Sequence, residues 1–230
     1  MYKNKQFKKL EKKYNEYQES GSVGFLMNIC HKNLETDFKR KEIKKRTKRI
    51  LEIGAGTSPH INYLDYDYEK YFFLENSKFS VQYLKKKFRN NKKIFYKLYS
   101  GRKIPFKSNY FDRIIISHVL EHVPNPEEFI EEMVKKLKPG GKLSISLPCD
   151  PGFLWRSGRF FLKLLSVKKK LGISKKEYDY MIATEHINSI FNLISILKYK
   201  FSKNIQSEYY LPFKIKIVDF NLFYNVTLTK

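Results

Sequence analysis

The sequence predicts an α/β protein built on a doubly wound, largely parallel β-sheet. Five short apolar runs alternate with helical patterns between residues 49 and 148, and a glycine-rich turn follows the first run. Strands that alternate with helices in this way pack as a parallel sheet with helices on both faces. Two extended apolar stretches near the C-terminus, residues 215–220 and 222–228, predict a closing antiparallel pair.

Composition sets the class of protein. The chain has 230 residues, of which 42% are hydrophobic, so we expect one folded domain rather than a disordered chain. Its two cysteines, Cys30 and Cys149, are far apart in sequence. This arrangement predicts neither a disulfide framework nor a metal site, and it favours a reducing cytoplasm. The lysine-rich start resembles no signal peptide, and no apolar run reaches the roughly 18 residues of a membrane span.

The net charge of +23 has two interpretations, which the sequence leaves open. Such a charge attracts polyanions or an anionic membrane surface. The abundant residue types, Lys, Asn, Ile, Tyr and Phe, also have A/T-rich codons, so genomic composition explains the charge equally well. Charge alone therefore identifies no partner.

The segment before the first strand, residues 1–47, is polar and rich in lysine. Apolar side chains spaced three and four residues apart predict an amphipathic helix on the main domain, which two glycines then end. A strongly basic run, residues 39–49, leads into the first strand. The apolar positions are Phe7, Leu10, Tyr14 and Tyr17, and the glycines are Gly21 and Gly24.

The core, residues 48–148, contains the five alternating strands. Ser58 is expected to cap a helix after the glycine turn, with Pro59 in its first turn. Further helices are predicted around residues 81–88 and 126–137, and a Lys-Pro-Gly-Gly sequence ends the second of them. The predicted strands are residues 49–53, 71–74, 93–98, 110–117 and 142–147.

After the fifth strand the pattern changes to a helical insertion, residues 149–200, followed by closing strands in residues 201–230. Within the insertion, residues 153–171 are predicted to form an aromatic and basic helix, and residues 186–201 an amphipathic helix. We find neither an internal repeat nor a low-complexity linker, so the chain is predicted to be one domain with an N-terminal extension and an insertion.

The glycine turn at residues 54–57 predicts a nucleotide-like ligand, because missing side chains let the backbone approach it closely. A dinucleotide fingerprint requires a third glycine at position 59, where this chain has Pro59. Glu75 ends the second strand, 23 residues after Glu52, which is the spacing expected of a carboxylate that binds ribose hydroxyls. A solvated charge at the strand end is the alternative for Glu75.

Four blocks of sequence, in order, carry a family resemblance. They read LEIGAGT at residues 51–57, IPF with YFDRII at 104–115, SHVLEHV at 117–123 and LKPGGKL at 137–143. These blocks resemble the motifs of class I S-adenosylmethionine-dependent methyltransferases, most nearly the type-11 group. The resemblance implies a Rossmann-like, seven-stranded, mostly parallel sheet with an antiparallel last strand, and S-adenosylmethionine as the cofactor.

The resemblance also assigns residues to the cofactor. It places the glycine turn against the methionine and ribose, Glu75 at the ribose, and the backbone after the fourth strand at the methionine amino group. Ser100 stands where the family often has an aspartate for the adenine amine, so either its hydroxyl or the backbone makes that contact. The residues assigned in this way are Glu52, Gly54, Ala55, Gly56, Thr57, Glu75, Asn76, Ser100, Gly101, Ser117, His118 and Leu120.

Because the sulfonium methyl is already activated, the protein mainly aligns a nucleophile and excludes water. A hydroxyl nucleophile also benefits from a general base, for which His118, His122 and His186 are the candidates and His31 is a weaker one. A packing or capping role is the alternative for each histidine. Cys149 follows the fifth strand, where a nucleophilic cysteine is not expected.

The acceptor is predicted from the insertion. Residues 153–171 are placed to cover the substrate cavity, either as a lid or as an interfacial helix at an anionic membrane, with Asp150, Trp155 and Arg159 as substrate residues. The Asn-Pro-Pro-aromatic motif of enzymes that methylate base amines is missing after the fourth strand. We therefore expect O-methylation of a small molecule: a sugar, a surface-glycan precursor or a lipid-linked intermediate. An RNA methyltransferase and a non-catalytic binding protein are the alternatives.

Overall fold

The computed structural model describes residues 21–57, 59–99, 103–165, 172 and 174–230. In this part of the chain, seven strands form one sheet in the order β3-β2-β1-β4-β5-β7-β6. β7 pairs antiparallel with both β5 and β6, whereas β1 to β5 pair in parallel, so the predicted mostly parallel sheet with a reversed last strand is confirmed. The strands are β1 Arg49–Ile53, β2 Lys70–Glu75, β3 Ile94–Leu98, β4 Phe111–Ser117, β5 Leu137–Pro148, β6 Ile205–Leu211 and β7 Phe223–Thr229.

Seven α-helices accompany the sheet in the described ranges. Separate clusters of buried apolar side chains lie around the sheet, and a smaller cluster lies between the helix Gly21–Leu34 and strands β6 and β7. None of the described helices is long and apolar enough to cross a membrane. The helices are α1 Gly21–Leu34, α2 Lys41–Arg46, α3 Lys78–Lys87, α4 Pro126–Lys136, α5 Phe153–Leu165, α6 Lys175–Glu185 and α7 Ile190–Lys200.

The topology determines where a ligand can bind. β1 and β4 are neighbours in the middle of the sheet, but the chain continues from β1 toward one edge and from β4 toward the other. Loops that leave two adjacent parallel strands in opposite directions open a crevice at the carboxyl ends of those strands. The glycine turn follows β1 and the SHVLEHV block follows β4, so both border this crevice.

The N-terminal extension is anchored through β4. Arg113 is fully buried, and its guanidinium lies 2.6 Å from a Glu35 carboxylate oxygen and 3.5 Å from the ring centre of Phe38. Burial alone would raise the pKa of Glu35, but Arg113 and His60 together lower it below the usual value. This ion pair fixes the segment after α1 against the sheet.

One prediction about the N-terminal half was wrong. Gly21 and Gly24 both lie in α1, and the helix that they were predicted to end lies outside the described residues. A glycine costs about 1 kcal/mol in a helix interior, and burial of Cys30 and Leu34 on the same helix outweighs that cost. After the glycine turn, the chain forms only the short 3-10 helix His60–Tyr63 rather than an α-helix. The helix predicted around residues 7–17 and the cap predicted at Ser58 lie outside the described residues.

Two predictions about the C-terminal half also need correction. The strand beside β7 is β6, not residues 215–220. The apolar stretch forms a loop, because the Asn221 side chain donates hydrogen bonds to the carbonyls of Ile215 and Ile217, at 2.7 and 2.8 Å. The Lys-Pro-Gly-Gly sequence is not a simple helix end but the bulged beginning of β5.

The helical insertion is also arranged differently from the prediction. α6 was not predicted, and the following helix, α7, begins at Ile190 rather than at His186. His186 instead caps the carboxyl end of α6. It therefore lies in the turn between two helices, with its side chain directed at the end of β5.

Candidate functional site

The glycine turn after β1 has one packed side and one open side. Gly54 has φ +70°, and a Cβ there would lie 2.4 Å from Val119 Cγ2. Gly56 has φ +56°, and a Cβ there would meet no protein atom within 4 Å. Positive φ favours glycine at both positions. Gly54 therefore allows the two loops to pack, whereas Gly56 leaves space in which a ligand can approach the backbone.

Glu75 at the end of β2 borders the same space. Its side chain is buried, and Oε1 accepts a hydrogen bond of 2.9 Å from the Gly56 backbone N–H. Asn76 follows it at the edge of the sheet. The carboxylate is thus fixed beside the open side of the turn, where ribose hydroxyls are expected.

Glu52 supports the turn from beneath. Its carboxylate accepts hydrogen bonds from the His60 backbone N–H at 2.6 Å and the Tyr71 hydroxyl at 2.5 Å. Burial raises the pKa of Glu52 to about 7, and these two hydrogen bonds offset part of that rise. Glu52 therefore acts on the turn through the backbone that follows it.

The chain leaves β4 through Ser117 and His118. His118 has φ +55°, and its backbone N–H donates to the Ser146 carbonyl at 3.0 Å. Leu120 is fully buried beneath this loop. The loop thus forms the second wall of the crevice, opposite the glycine turn.

These residues fit S-adenosylmethionine. The open backbone at Gly56, the buried carboxylate of Glu75 and the loop after β4 converge on the crevice between β1 and β4. Ala55 and Thr57 complete the turn, whereas Ser100 and Gly101, predicted at the adenine, lie outside the described residues. The individual cofactor contacts remain predictions.

A second group of polar side chains lies at the ends of β4 and β5; we call it the imidazole cluster. It comprises His118, Glu121, His122, Asp150 and His186. The predicted catalytic histidines are thus brought together with the predicted substrate residue Asp150, although they are far apart in sequence. Glu121 was not predicted; the SHVLEHV block that contains it was the available signal.

Short contacts connect the members of the imidazole cluster. His186 Nδ1 lies 2.8 Å from an Asp150 carboxylate oxygen, and the His122 and His186 ring centres are 4.9 Å apart. Glu121 Oε1 lies 3.9 Å from His118 Nδ1 and 3.8 Å from His122 Nε2. The arrangement presents several imidazoles and two buried carboxylates to the same space.

Burial dominates the electrostatics of the cluster. It raises the pKa of Glu121 to about 7 and lowers those of His118 to about 3 and His122 to about 4. The neighbouring His186 lowers all three values, for Glu121 in opposition to burial. Both shifted imidazoles are therefore neutral at pH 7 and carry a lone pair.

The other predicted substrate residues lie beside the cluster. Arg159 on α5 forms a bidentate ion pair with Asp150, at 2.8 and 3.1 Å, so both side chains already bind each other. Trp155 on the same helix packs edge-on against Phe223, with ring centres 5.9 Å apart. α5 is thus fastened to the end of β5 and forms one side of the acceptor space.

The surroundings of two weaker candidates, His31 and Cys149, favour a structural role over a catalytic one. His31 is buried, and its Nδ1 lies 2.9 Å from His60 Nδ1. Burial raises the pKa of the Cys149 thiol to about 12, which does not suit a nucleophile.

Comparison with known proteins adds independent evidence. Residues 51–145 match the family model of a methyltransferase domain. An uncharacterized protein of Methanocaldococcus jannaschii is 29% identical over 182 residues, which cover 78% of this chain and 79% of that protein. A demethylmenaquinone methyltransferase of Desulfitobacterium hafniense is 33% identical over 82 residues, which cover 34% of this chain and 32% of that protein. That match thus spans about a third of the relative's length.

A solved structure supports the fold. The crystal structure of a putative S-adenosyl-L-methionine-dependent methyltransferase from Methanococcus maripaludis aligns with a TM-score of 0.61 at 17% identity. The alignment covers 96% of this chain and 91% of that one.

The reversed seventh strand and the glycine turn facing Glu75 agree with the fold of class I S-adenosylmethionine-dependent methyltransferases. Residues 51–145 form a methyltransferase domain similar to the type-11 group of this class, and the cofactor is S-adenosylmethionine. The predicted class of enzyme is confirmed.

Proposed function

We propose that the chain transfers the methyl group of S-adenosylmethionine to a hydroxyl group of a small-molecule acceptor. The observation that carries this proposal is the His186–Asp150 pair at the end of β5, with its 2.8 Å contact. Because the Asp150 carboxylate accepts from Nδ1–H, the imidazole proton is held on Nδ1 and the lone pair lies on Nε2. This is the arrangement that a base oriented by a carboxylate requires.

The residues of the chain would act on the acceptor as follows. The acceptor hydroxyl donates a hydrogen bond to an imidazole of the cluster, which takes the proton as the oxygen bonds to the methyl carbon. S-adenosylmethionine supplies an activated methyl group, and the electron pair of the breaking C–S bond stays on sulfur. Arg159 holds Asp150 through two hydrogen bonds, and Asp150 in turn holds the imidazole.

The shape of the acceptor is inferred from α5. Trp155 packs against Phe223 beside the cluster, while Phe153 and Phe160 expose apolar surface on the same helix. An acceptor with both hydroxyl and apolar parts suits this mixture, such as a sugar, a surface-glycan precursor or a lipid-linked intermediate. The exposed aromatics also suit contact of α5 with an anionic membrane.

Carbon methylation is the second candidate, because a relative from Bordetella parapertussis, 32% identical over 87 residues, is a ubiquinone/menaquinone biosynthesis C-methyltransferase. That match covers about a third of each protein. Removal of a proton from an acidic acceptor would use the same cluster, so the two candidates differ in the product rather than in the site.

A labelling experiment tests the proposal. The protein is incubated with methyl-labelled S-adenosylmethionine and a cell extract, which is then separated into small-molecule, lipid and RNA fractions. We expect label that resists mild base, as a methyl ether does, in a small-molecule or lipid fraction, identified by mass spectrometry. Label in RNA that disappears at high salt would replace the proposal with the RNA alternative. Cofactor binding without label in any fraction would support a non-catalytic binding protein.

The variant His186→Gln connects the label to the cluster. Loss of a general base slows transfer by about 10²–10⁴-fold, and we expect a fall in that range with unchanged cofactor affinity. Glu128→Gln on the exposed side of α4 is the matched control and should retain full turnover. Full turnover in His186→Gln would remove the base from the mechanism.

A further inference from the structure

We infer that Glu121, His122 and His186 form a binding site for one divalent transition-metal ion. Each residue offers one ligand atom, and the three atoms lie within 4.8 Å of one another. The residues come from the loop after β4 and from the turn after α6, so the fold itself brings them together. Such a site goes beyond cofactor binding, and the spacing of the residues in sequence did not predict it.

The two imidazoles are already oriented as metal ligands. His122 Nδ1 donates to the Glu185 carbonyl at 2.8 Å, and His186 Nδ1 donates to Asp150 at 2.8 Å. Metal-binding histidines usually donate their other ring N–H to a carbonyl or carboxylate in this way, which fixes the tautomer and the ring orientation. Both Nε2 atoms therefore carry the lone pair that a metal ion needs.

The carboxylate provides an independent observation. Glu121 is only 3% exposed, and its Oε2 is a buried oxygen with no hydrogen-bond partner among the described residues. A buried carboxylate without a full set of partners is costly, and a bound cation would remove that cost. Its Oε1 is 3.8 Å from His122 Nε2.

The distances set how far the side chains must move. Two ligands bound about 2.1 Å from a tetrahedral ion lie roughly 3.4 Å apart. The 3.8 Å separation of Glu121 Oε1 and His122 Nε2 would contract by a few tenths of an ångström, and the other separations, which are within 4.8 Å, would contract by up to about 1.4 Å through side-chain rotation. The ion would lie between a buried carboxylate and two partly exposed imidazoles.

The donor set selects the kind of ion. Two imidazole nitrogens and one carboxylate suit Zn²⁺ and its neighbours in the first transition series, whereas Mg²⁺ and Ca²⁺ prefer oxygen ligands. Three protein ligands also leave a coordination position open, as catalytic rather than structural zinc sites do. His118 Nδ1 lies 3.9 Å from Glu121 Oε1, next to the ligand set.

The role of the ion rests on the proposed function, although the site itself does not. An acceptor hydroxyl in the open position would become more acidic, and its proton would pass to water at the exposed imidazole edges. The oxygen then bonds to the methyl carbon, and the C–S bond breaks with its electrons on sulfur. With the ion bound, His186 would be a ligand and the ion would activate the hydroxyl, so the base mechanism proposed above applies to the metal-free protein.

Metal binding is tested directly on the full chain. The protein is stripped with a chelator and titrated with Zn²⁺ by calorimetry and with Co²⁺ by visible absorption, which reports the ligand geometry. We expect one ion per chain, a micromolar or lower Kd, and at least a 30-fold weaker Kd in Glu121→Gln and in His186→Gln. Glu128→Gln, the same chemical change on the exposed side of α4, should bind as the wild type does.

The outcomes separate the site from the activity. No bound ion in the wild type, or equal Kd values for wild type and Glu121→Gln, would overturn the site. S-adenosylmethionine affinity, measured on each stripped variant, shows whether the variant is folded. A bound ion in a protein that methylates no hydroxyl would keep the site and overturn the proposed function. Full O-methyl transfer by the stripped protein would keep the function and overturn the role of the ion.

Discussion

The two glycines of the turn after β1 should respond differently to the same substitution. In Gly54→Ala, the new Cβ would lie 2.4 Å from Val119 Cγ2, and the backbone cannot easily retreat because Gly54 N–H donates to the Leu74 carbonyl at 3.0 Å. In Gly56→Ala, the new Cβ meets no protein atom within 4 Å. Packing is therefore disturbed by the first change and not by the second.

The expected magnitudes follow from these contacts. An alanine at positive φ costs roughly 1–2 kcal/mol, and this cost applies at both Gly54 and Gly56. Overpacking adds roughly 1–3 kcal/mol at Gly54 alone. We therefore expect Gly54→Ala to lower the free energy of unfolding by about 2–5 kcal/mol and Gly56→Ala by about 1–2 kcal/mol.

A double-mutant cycle with Val119→Ala isolates the clash. Removal of Cγ2 leaves Val119 Cβ as the nearest atom, at 3.6 Å, which is an ordinary contact. Urea denaturation of the four proteins should show that Gly54→Ala costs about 1–3 kcal/mol less in the Val119→Ala background. An equal cost in both backgrounds would refute the clash.

Cofactor affinity gives the complementary result. Gly56→Ala should weaken S-adenosylmethionine binding by at least tenfold, or about 1.4 kcal/mol, because the cofactor is expected in the space that the methyl group fills. Calorimetry on the folded variant measures this loss. Unchanged affinity would show that the cofactor does not approach Gly56.

Three further predictions concern the crevice and its surroundings. Glu75→Ala should weaken S-adenosylmethionine binding by roughly 1–3 kcal/mol in calorimetry, since it removes a charged acceptor from two ribose hydroxyls, and an unchanged Kd would contradict this role. The double variant Trp155→Ala, Arg159→Ala should leave cofactor affinity within about threefold while acceptor turnover falls substantially. Both side chains lie on α5 at the acceptor side of the site. Full turnover in this variant would show that α5 has only a structural role. Burial raises the pKa of the Glu52 carboxyl in the folded protein to about 7. The protonated carboxyl therefore stabilises the folded protein fully below the unfolded pKa of about 4.5, and this stabilisation is lost as pH rises through 7. Relative to Glu52→Gln, the wild type should therefore lose on the order of 3 kcal/mol in unfolding free energy between pH 5 and 8, and parallel pH curves would contradict this shift.

The parallel half of the sheet could be predicted because its signals are local. Each of β1 to β5 is a short apolar run next to a turn or helix signal, and the positions agree within a few residues, apart from the early start of β5. β6 could not be found in this way. It is an edge strand with polar residues such as Gln206 and Glu208, whereas the more apolar residues 215–220 form an exposed loop around Asn221. Pairing with β7 is a long-range property that local hydrophobicity does not reveal.

In the candidate site too, one part could be predicted from local sequence and the other part could not. The cofactor side depends on backbone conformation at a contiguous turn, which the order of glycines in the sequence reveals. On the acceptor side, Asp150 binds both Arg159 and His186, and these contacts depend on how two helices pack against the end of β5. The sequence identified these side chains individually but not their pairing. The expectation of no metal site also rested on spacing rules, which cover only ligands that are close in sequence.

The match to the family model ends where the acceptor side of the site begins. Residues 51–145 include the glycine turn, Glu75 and the loop after β4, but they end before Asp150, Arg159 and His186. The family model therefore matches the chain only as far as β5, where the acceptor side begins. A relative's substrate can be transferred to this chain only if that relative also has a carboxylate after β5 and a histidine before α7. That comparison, rather than overall identity, is the one that bears on which molecule this enzyme methylates.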